Sequence, residues 1–317
     1  MASSPNRPIE PMQRDRTAVA RFLDDSFVWM TGFFAVLIAG VLIAIALRVG
    51  LDARPAIEKF GLSFLTETRW SDNAQEFHAL PQIYGTLVSA FLSLFIAVPI
   101  GVGVAIFLSE DFIPERLKQP VIFLIELLAA IPSVVYGLWG IFVLIPILQV
   151  GGTSIYKTLG WLPIFSTPPS TRGMYVAVVV LSIMILPIIT AISRDALIAV
   201  PNELRQAAYG LGATRWETIL KVILPTAFSG IVGGVMLALG RAMGETMAVT
   251  MVIGDATRVN ASLFDKGSTV SSLLANTFAE ADGLQTSALM YATLVLLVLT
   301  LLVNVLAQVI VRRANKI

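Results

Sequence analysis

The sequence has no cysteine and a single histidine, His78, among its 317 residues. Disulfides, thiol catalysis and thiolate metal sites are therefore excluded, and one histidine cannot build a histidine-based metal centre. Charge is scarce too: Asp, Glu, Lys and Arg make up 14% of the chain, against about 25% in soluble globular proteins. No Gly-x-x-x-x-Gly-Lys-Ser/Thr stretch occurs, so the chain has no P-loop of its own for ATP. His-Glu-x-x-His and Gly-x-Ser-x-Gly are absent as well, so no nucleophile and base point to an enzyme and no cofactor is called for. The formal net charge is +1, and no basic cluster interleaved with aromatics suggests nucleic acid as a partner.

What fills the space is apolar. Hydrophobic residues are 56% of the chain and the mean hydropathy is +0.81, which describes an integral membrane protein with modest loops. Six apolar runs stand out, at 27–47, 83–108, 121–148, 174–192, 227–253 and 287–311. Each is long enough to cross a bilayer, since about 20 residues span the hydrocarbon core. The first is too long, and too far from the start, for a typical cleaved signal peptide. The expected fold is all-α and polytopic, with a tail over 1–26 and a six-span domain over 27–317. Residues 17–27 of the tail can form a short interfacial helix with Val19, Phe22 and Leu23 on its apolar side. The segment 48–81 reads as mixed polar and 149–172 as a loop rich in Gly, Pro, Ser and Thr.

Positive charge sets the expected orientation. With the N-terminus inside, thirteen Lys and Arg residues fall on the cytosolic face and eight on the other, Arg241 being the last of the chain's 22. The excess puts both termini in the cytosol, together with the polar island at 194–226.

That island is the most informative stretch. Pro201 suits the first position of a helix, with Glu203 near the positive end of its dipole. Ala207 and Ala208 are strong helix formers, and Gly210 or Gly212 can supply a left-handed stop. Thr214-Arg215-Trp216-Glu217 reads as a capping box that starts a second short helix. Pro225 then precedes the next apolar run, where it can re-aim the chain.

Two charges lie inside the fifth run. Arg241 is sixteen residues beyond Pro225, or roughly 24 Å along a helix. Glu245 follows at i+4 and so is expected to share its helix face, with Gly230 and Gly234 close to the same angle. Small residues allow close helix approach, and a mid-membrane charge costs at least about 2.5–3.5 kcal/mol. The pair can be a structural lock or part of a transport pathway. The planar fork of Arg241 suits a passing oxyanion, and Glu245 would keep that anion from binding too tightly to leave. Thr246, Thr250 and Ser133 can offer hydroxyls. Glu126, about seven residues or roughly 10 Å into the third run, is an open case between pairing, snorkelling and function.

The island resembles the Glu-Ala-Ala loop of ABC importer permeases. Ala207, Ala208, Gly212, Leu224 and Pro225 match that pattern in register, while Gln206 stands where Glu is usual and Val222 where Ile is usual. Three further stretches resemble permeases of phosphate-specific ABC importers: Phe60-Gly61-Leu62-Ser63-Phe64-Leu65, Ile131-Pro132-Ser133-Val134-Val135-Tyr136-Gly137 and Arg241-Ala242-Met243-Gly244-Glu245-Thr246. The long first outer loop is more similar to the PstC type of that family than to its PstA-type partner. The resemblance implies a type I importer fold and a loop that docks on an ATPase. It also implies a second homologous permease of the PstA type, two cytosolic ATPase subunits, an extracytoplasmic phosphate-binding protein, phosphate as cargo, and the bacterial inner membrane as location. A permease for molybdate, sulfate or phosphonate, and an ion-coupled secondary transporter, remain the alternatives.

Overall fold

The computed structural model describes residues 18–314. The chain divides into two units, Met1–Leu51 and Asp52–Ile317. Among the described residues six helices are long and apolar enough to cross a membrane: Asp24–Phe60, Leu80–Ser109, Ser133–Leu159, Met174–Ile198, Arg215–Gly244 and Gly283–Val309. Besides these the described residues form short helices and one two-stranded hairpin, so the expected all-α fold holds.

Helix α1, Ala18–Phe60, is unbroken. The described part of the N-terminal segment therefore shares the first span's helix, and residues 1–17 lie outside the described residues. The helix also runs thirteen residues, 48–60, into the segment expected to be a polar loop, passing through Pro55. Helix α2 (Ser63–Thr66) and a hairpin of β1 (Trp70–Ser71) with β2 (Glu76–Phe77) follow, paired Trp70 to Phe77. Phe64 and Phe77 are fully buried, and Phe64 stacks on Tyr291 at 4.3 Å. The Tyr291 hydroxyl donates to the Gly61 carbonyl at 3.1 Å. Gly61 has φ +49°, so this contact turns on a left-handed residue that favours glycine.

The interior is built around α7, Met174–Ile198. It is apolar all round, as a helix enclosed by others must be, and 67% of its apolar window is buried. On one side lies α3, Leu80–Ser109. The Ser93 hydroxyl donates to the Val178 carbonyl at 3.0 Å, and Ser182 donates back to the Ser93 carbonyl at 3.3 Å. On another side lies α10, Leu224–Gly244. A Cβ on Gly230 would come within 2.5 Å of Ala196 Cβ, and one on Gly234 within 3.0 Å of Ile192 Cβ. The small residues thus do permit the close helix approach expected of them.

Two spans are interrupted where the sequence reads as continuous. The third run divides into α4 (Glu115–Ala130) and α5 (Ser133–Trp139), separated by extended backbone at Ile131 and Pro132. From α5 the chain passes through a π turn, Gly140–Leu144, into α6, Ile145–Leu159. The third span is therefore Ser133–Leu159, and the first part of the expected 149–172 loop is helix. A second π turn, Ile219–Ile223, joins α9 (Arg215–Thr218) to α10. Each π turn lies just ahead of a proline, Pro146 or Pro225. Proline lacks the N–H that would bond the carbonyl four residues earlier, and the wider turn absorbs that mismatch without ending the helix. Pro225 therefore does not re-aim the chain.

Candidate functional site

The fifth span stops earlier than its apolar run. Helix α10 ends at Gly244, Glu245 is extended (φ −68°, ψ 123°), and α11 begins again at Met247 and runs to Ile253. The expected i, i+4 arrangement of Arg241 and Glu245 on one helix face is thus corrected: the helix that would create it has ended. The Glu245 carboxylate instead accepts from the Ala248 backbone N–H at 3.3 Å, at the start of α11. Arg241 lies in the last turn of α10 with an exposed side chain. None of the ion pairs among the described residues includes it.

The two breaks meet. A Cβ on Gly137 of α5 would fall 2.6 Å from Met251 Sδ and 3.2 Å from Ala248 Cα, and one on Gly140 would fall 2.9 Å from Val252. These contacts advance together along both helices, so α5 and α11 run in parallel and start at the same end. Tyr136 is within electrostatic reach of Arg241 and donates its hydroxyl to the Leu128 carbonyl of α4 at 2.9 Å. Ser133 opens α5. Thr246 donates to the Gly244 carbonyl at 3.2 Å, and Thr250 to the Thr246 carbonyl at 2.7 Å. Two of the sequence stretches singled out above, 131–137 and 241–246, are therefore neighbours in space.

Glu126 is not among them. Because the third run breaks at Pro132, Glu126 falls on α4, outside the third span. It borders a small cavity of about 20 Å³ with Thr190 and Arg194 of α7.

The island at 194–226 folds nearly as its residues suggest. Helix α8, Asn202–Gly210, has Pro201 as its N-cap, one residue earlier than expected, and Glu203 in its first turn. It ends in a left-handed Gly212 at φ +82°. The Gly212 N–H donates to the Tyr209 carbonyl at 2.9 Å and the Ala213 N–H to the Ala208 carbonyl at 3.0 Å, the paired bonds of a Schellman stop. Thr214 and Glu217 then form the complete capping box of α9. Ala208 is buried, while Glu203, Gln206 and Ala207 are exposed. Leu224 and Pro225 begin α10. The exposed side also carries Leu211, 90% accessible, and Trp216, 58% accessible. Apolar side chains so uncovered on a polar segment mark a surface that another protein can cover.

One contact at the island's base has no local sequence signal. Arg205 of α8 forms an ion pair with Glu110 at the end of α3, and its guanidinium also donates to the Leu197 carbonyl at 2.9 Å. The pair is largely buried, with side-chain exposures of 16% and 7%. Arg215 lies 4.0 Å over the ring of Phe112, which also packs on Trp216. The turn between α3 and α4 is thereby fastened to the island. Only its charged composition hints at this, since the partners are 95 residues apart.

The six apolar spans, the interrupted third and fifth helices and the exposed polar island define a multi-pass membrane permease of the type I ABC importer fold. Two solved structures share it: a bacterial alginate ABC transporter in complex with an alginate pentasaccharide-bound periplasmic protein (TM-score 0.59, 15% identity, covering 93% of this chain and 98% of that one), and the inward-facing MetNI methionine ABC transporter (TM-score 0.56, 20% identity, covering 74% and 94%). The family of binding-protein-dependent transport system inner membrane components matches over residues 97–316, and the chain belongs to it. Among curated relatives, the phosphate transport system permease protein PstC of Pasteurella multocida is 44% identical over 291 residues, covering 90% of this chain and 91% of its own. The PstC of Mesorhizobium japonicum is 43% identical over 310 residues, covering 95% and 94%. A probable phosphate transport system permease protein PstC of Methanocaldococcus jannaschii is 36% identical over 270 residues, covering 83% and 85%.

Proposed function

We propose that this chain is the transmembrane permease of an ATP-driven importer that carries inorganic phosphate across the plasma membrane into the cytosol. Its termini and its 194–226 segment face the cytosol. There the exposed surface of α8 and its flanking turn docks on one of two ATPase subunits, which supply the hydrolysis that this chain does not perform. A second, PstA-type permease completes the pathway, and an extracytoplasmic phosphate-binding protein delivers the anion to the opposite face.

The observation that carries this reading is Arg241. It is a cation roughly 24 Å along α10, exposed, without an ion partner among the described residues, and located where two helices restart. A guanidinium so deep in a membrane is retained where a water-filled path or a partner subunit receives it. Its fork of donors fits a phosphate oxygen pair. Thr246, Thr250 and Ser133 add hydroxyls along the same path, and Glu245 limits how long the anion stays.

The test is uptake of labelled phosphate by proteoliposomes that hold the complete complex. Arg241→Gln keeps donors and rough size but removes the charge. Uptake per assembled complex is expected to fall at least about tenfold, and phosphate is expected to out-compete molybdate, sulfate and phosphonate in the wild type. Normal uptake in the variant, or preference for another anion, would count against the assignment.

A further inference from the structure

A cleft of about 660 Å³ opens beside the far end of α11, away from Arg241. Arg172, Lys266, Asp255, Thr171, Thr250 and Asn276 are among the residues that line it. Four segments form it, and main-chain hydrogen bonds lock three of them together. Gly173 N–H donates to the Val252 carbonyl, Met174 N–H to the Asp265 carbonyl and Gly267 N–H to the Ile253 carbonyl, each at 3.0 Å. Gly254 has φ +92°, and a Cβ there would meet Lys266 Cγ at 3.1 Å. The stem of Lys266 therefore lies over a backbone that only glycine leaves free.

The chemistry is one-sided. Arg172 and Lys266 are exposed and take part in no ion pair among the described residues. Thr171 and the Asn276 amide add hydrogen-bond donors. Asp255 is the single carboxylate in the wall. We propose that this cleft is a receiving site for a small oxyanion, where the cargo first leaves its delivery protein on the way to Arg241. Two cations against one carboxylate draw an anion in, and Asp255 keeps the hold weak enough for release.

The position fits the task. Thr250 lines the cleft and also belongs to α11, whose opposite end follows Arg241 directly. A helix of that length is roughly 10 Å long, and only Glu245 and Thr246 separate its start from the end of α10, which carries Arg241. Arg172 and Lys266 also fall on the non-cytosolic side in the charge count above. The proposal rests on the import reading, and a wild-type complex that moves a different oxyanion overturns only the phosphate assignment. The same variants, measured with that anion, still decide the role of the cleft.

The experiment compares Arg172→Gln/Lys266→Gln with the charge-keeping Arg172→Lys/Lys266→Arg. Both are reconstituted as complete complexes and fed with loaded binding protein at varied concentration. The neutral pair is expected to lower the saturating uptake rate about tenfold, the low end of what electrostatic focusing supplies. The binding-protein concentration for half-maximal uptake should stay unchanged, and the rate should lose its sensitivity to added salt. The charge-keeping pair should retain most of the rate. Three outcomes overturn the proposal: wild-type uptake in the neutral pair; a raised half-maximal concentration with a normal saturating rate, which would mean that the cations hold an acidic face of the delivery protein; or equal losses in both pairs, which would mean a structural role. If the neutral pair fails to assemble, the exposed single change Lys266→Gln carries the same expectations, with a loss of about threefold.

Discussion

At the scale of single residues, a charge in an apolar run is easy to find in a sequence, but its partner is not. Arg241 and Glu245 have the spacing of a helical ion pair, and that spacing has meaning only while the helix continues. It ends at Gly244, and Glu245 turns its carboxylate to the Ala248 N–H at the start of α11. Glu126 was displaced in the same way, because Pro132 breaks the third run and does not merely kink it. In both cases a break in the helix decides which residues share a face. The geometry leads to an asymmetric expectation for transport. Glu245→Gln keeps an amide oxygen that can still accept from Ala248, so its uptake should fall less than that of Arg241→Gln, by no more than about tenfold. If the two residues were a mutual lock, removing both would relieve the stranded charge and restore function. The expected result is instead that Arg241→Gln/Glu245→Gln transports no better than Arg241→Gln alone. Recovery of near-normal uptake in the double variant would return the pair to a structural role.

At the scale of elements, the island at 194–226 was legible because its signals are local. A capping box, a left-handed glycine and a pair of alanines each act within one turn of themselves, and α8 and α9 have those ends. Gly212 has open space around its Cβ position, so a side chain there is resisted by the backbone alone. Left-handed backbone costs an ordinary residue about 1–2 kcal/mol, and a β-branched one is the least suited. Gly212→Val should therefore leave the subunit in the membrane but loosen the Schellman stop and reduce ATPase co-purification, whereas Gly212→Asn should retain most of it. Equal retention by Val and Asn would separate the glycine from the coupling role. The fastening of this island to the α3–α4 turn was not legible, since Glu110 and Arg205 are brought together only by the packing of α3 against α7. Removing one partner of so buried a pair costs about 3–5 kcal/mol, while replacing both with apolar groups is often nearly neutral. Glu110→Met and Arg205→Met should each lower the thermal stability of the purified complex. The combined variant should recover part of it while leaving ATP hydrolysis less tightly linked to uptake. Full stability in both single variants would show that the pair holds nothing.

At the scale of the whole molecule, hydropathy gave the number of spans and erred on their limits. Membrane crossing needs only length and low polarity, which six runs satisfy, while the limits depend on tertiary contacts that hydropathy does not contain. Thus α1 continues to Phe60 through charged residues, and the third span ends at Leu159 instead of near 148. The sidedness of the chain follows from where these spans leave Lys and Arg, and it joins the two functional halves. If the excess of positive charge is cytosolic, α8 faces an ATPase, and the Arg172–Lys266 cleft faces the compartment from which cargo arrives. The absence of cysteine makes this directly measurable, because any introduced thiol is unique. Gln119, Gln206, Asp72 and Thr257 are all exposed, so single cysteines there should react readily with a charged, membrane-impermeant maleimide when they face it. In intact cells with a permeabilised outer envelope, the thiols at 72 and 257 should label. Those at 119 and 206 should label only after the inner membrane is opened. The pattern tests two independent inferences at once, since 119 and 206 flank different spans. Labelling of 206 from outside would invert the molecule and remove the coupling surface from the ATPase. Labelling of 119 alone from outside would instead remove two crossings, that of α3 and one of the third span and α7, and with them the six-span topology.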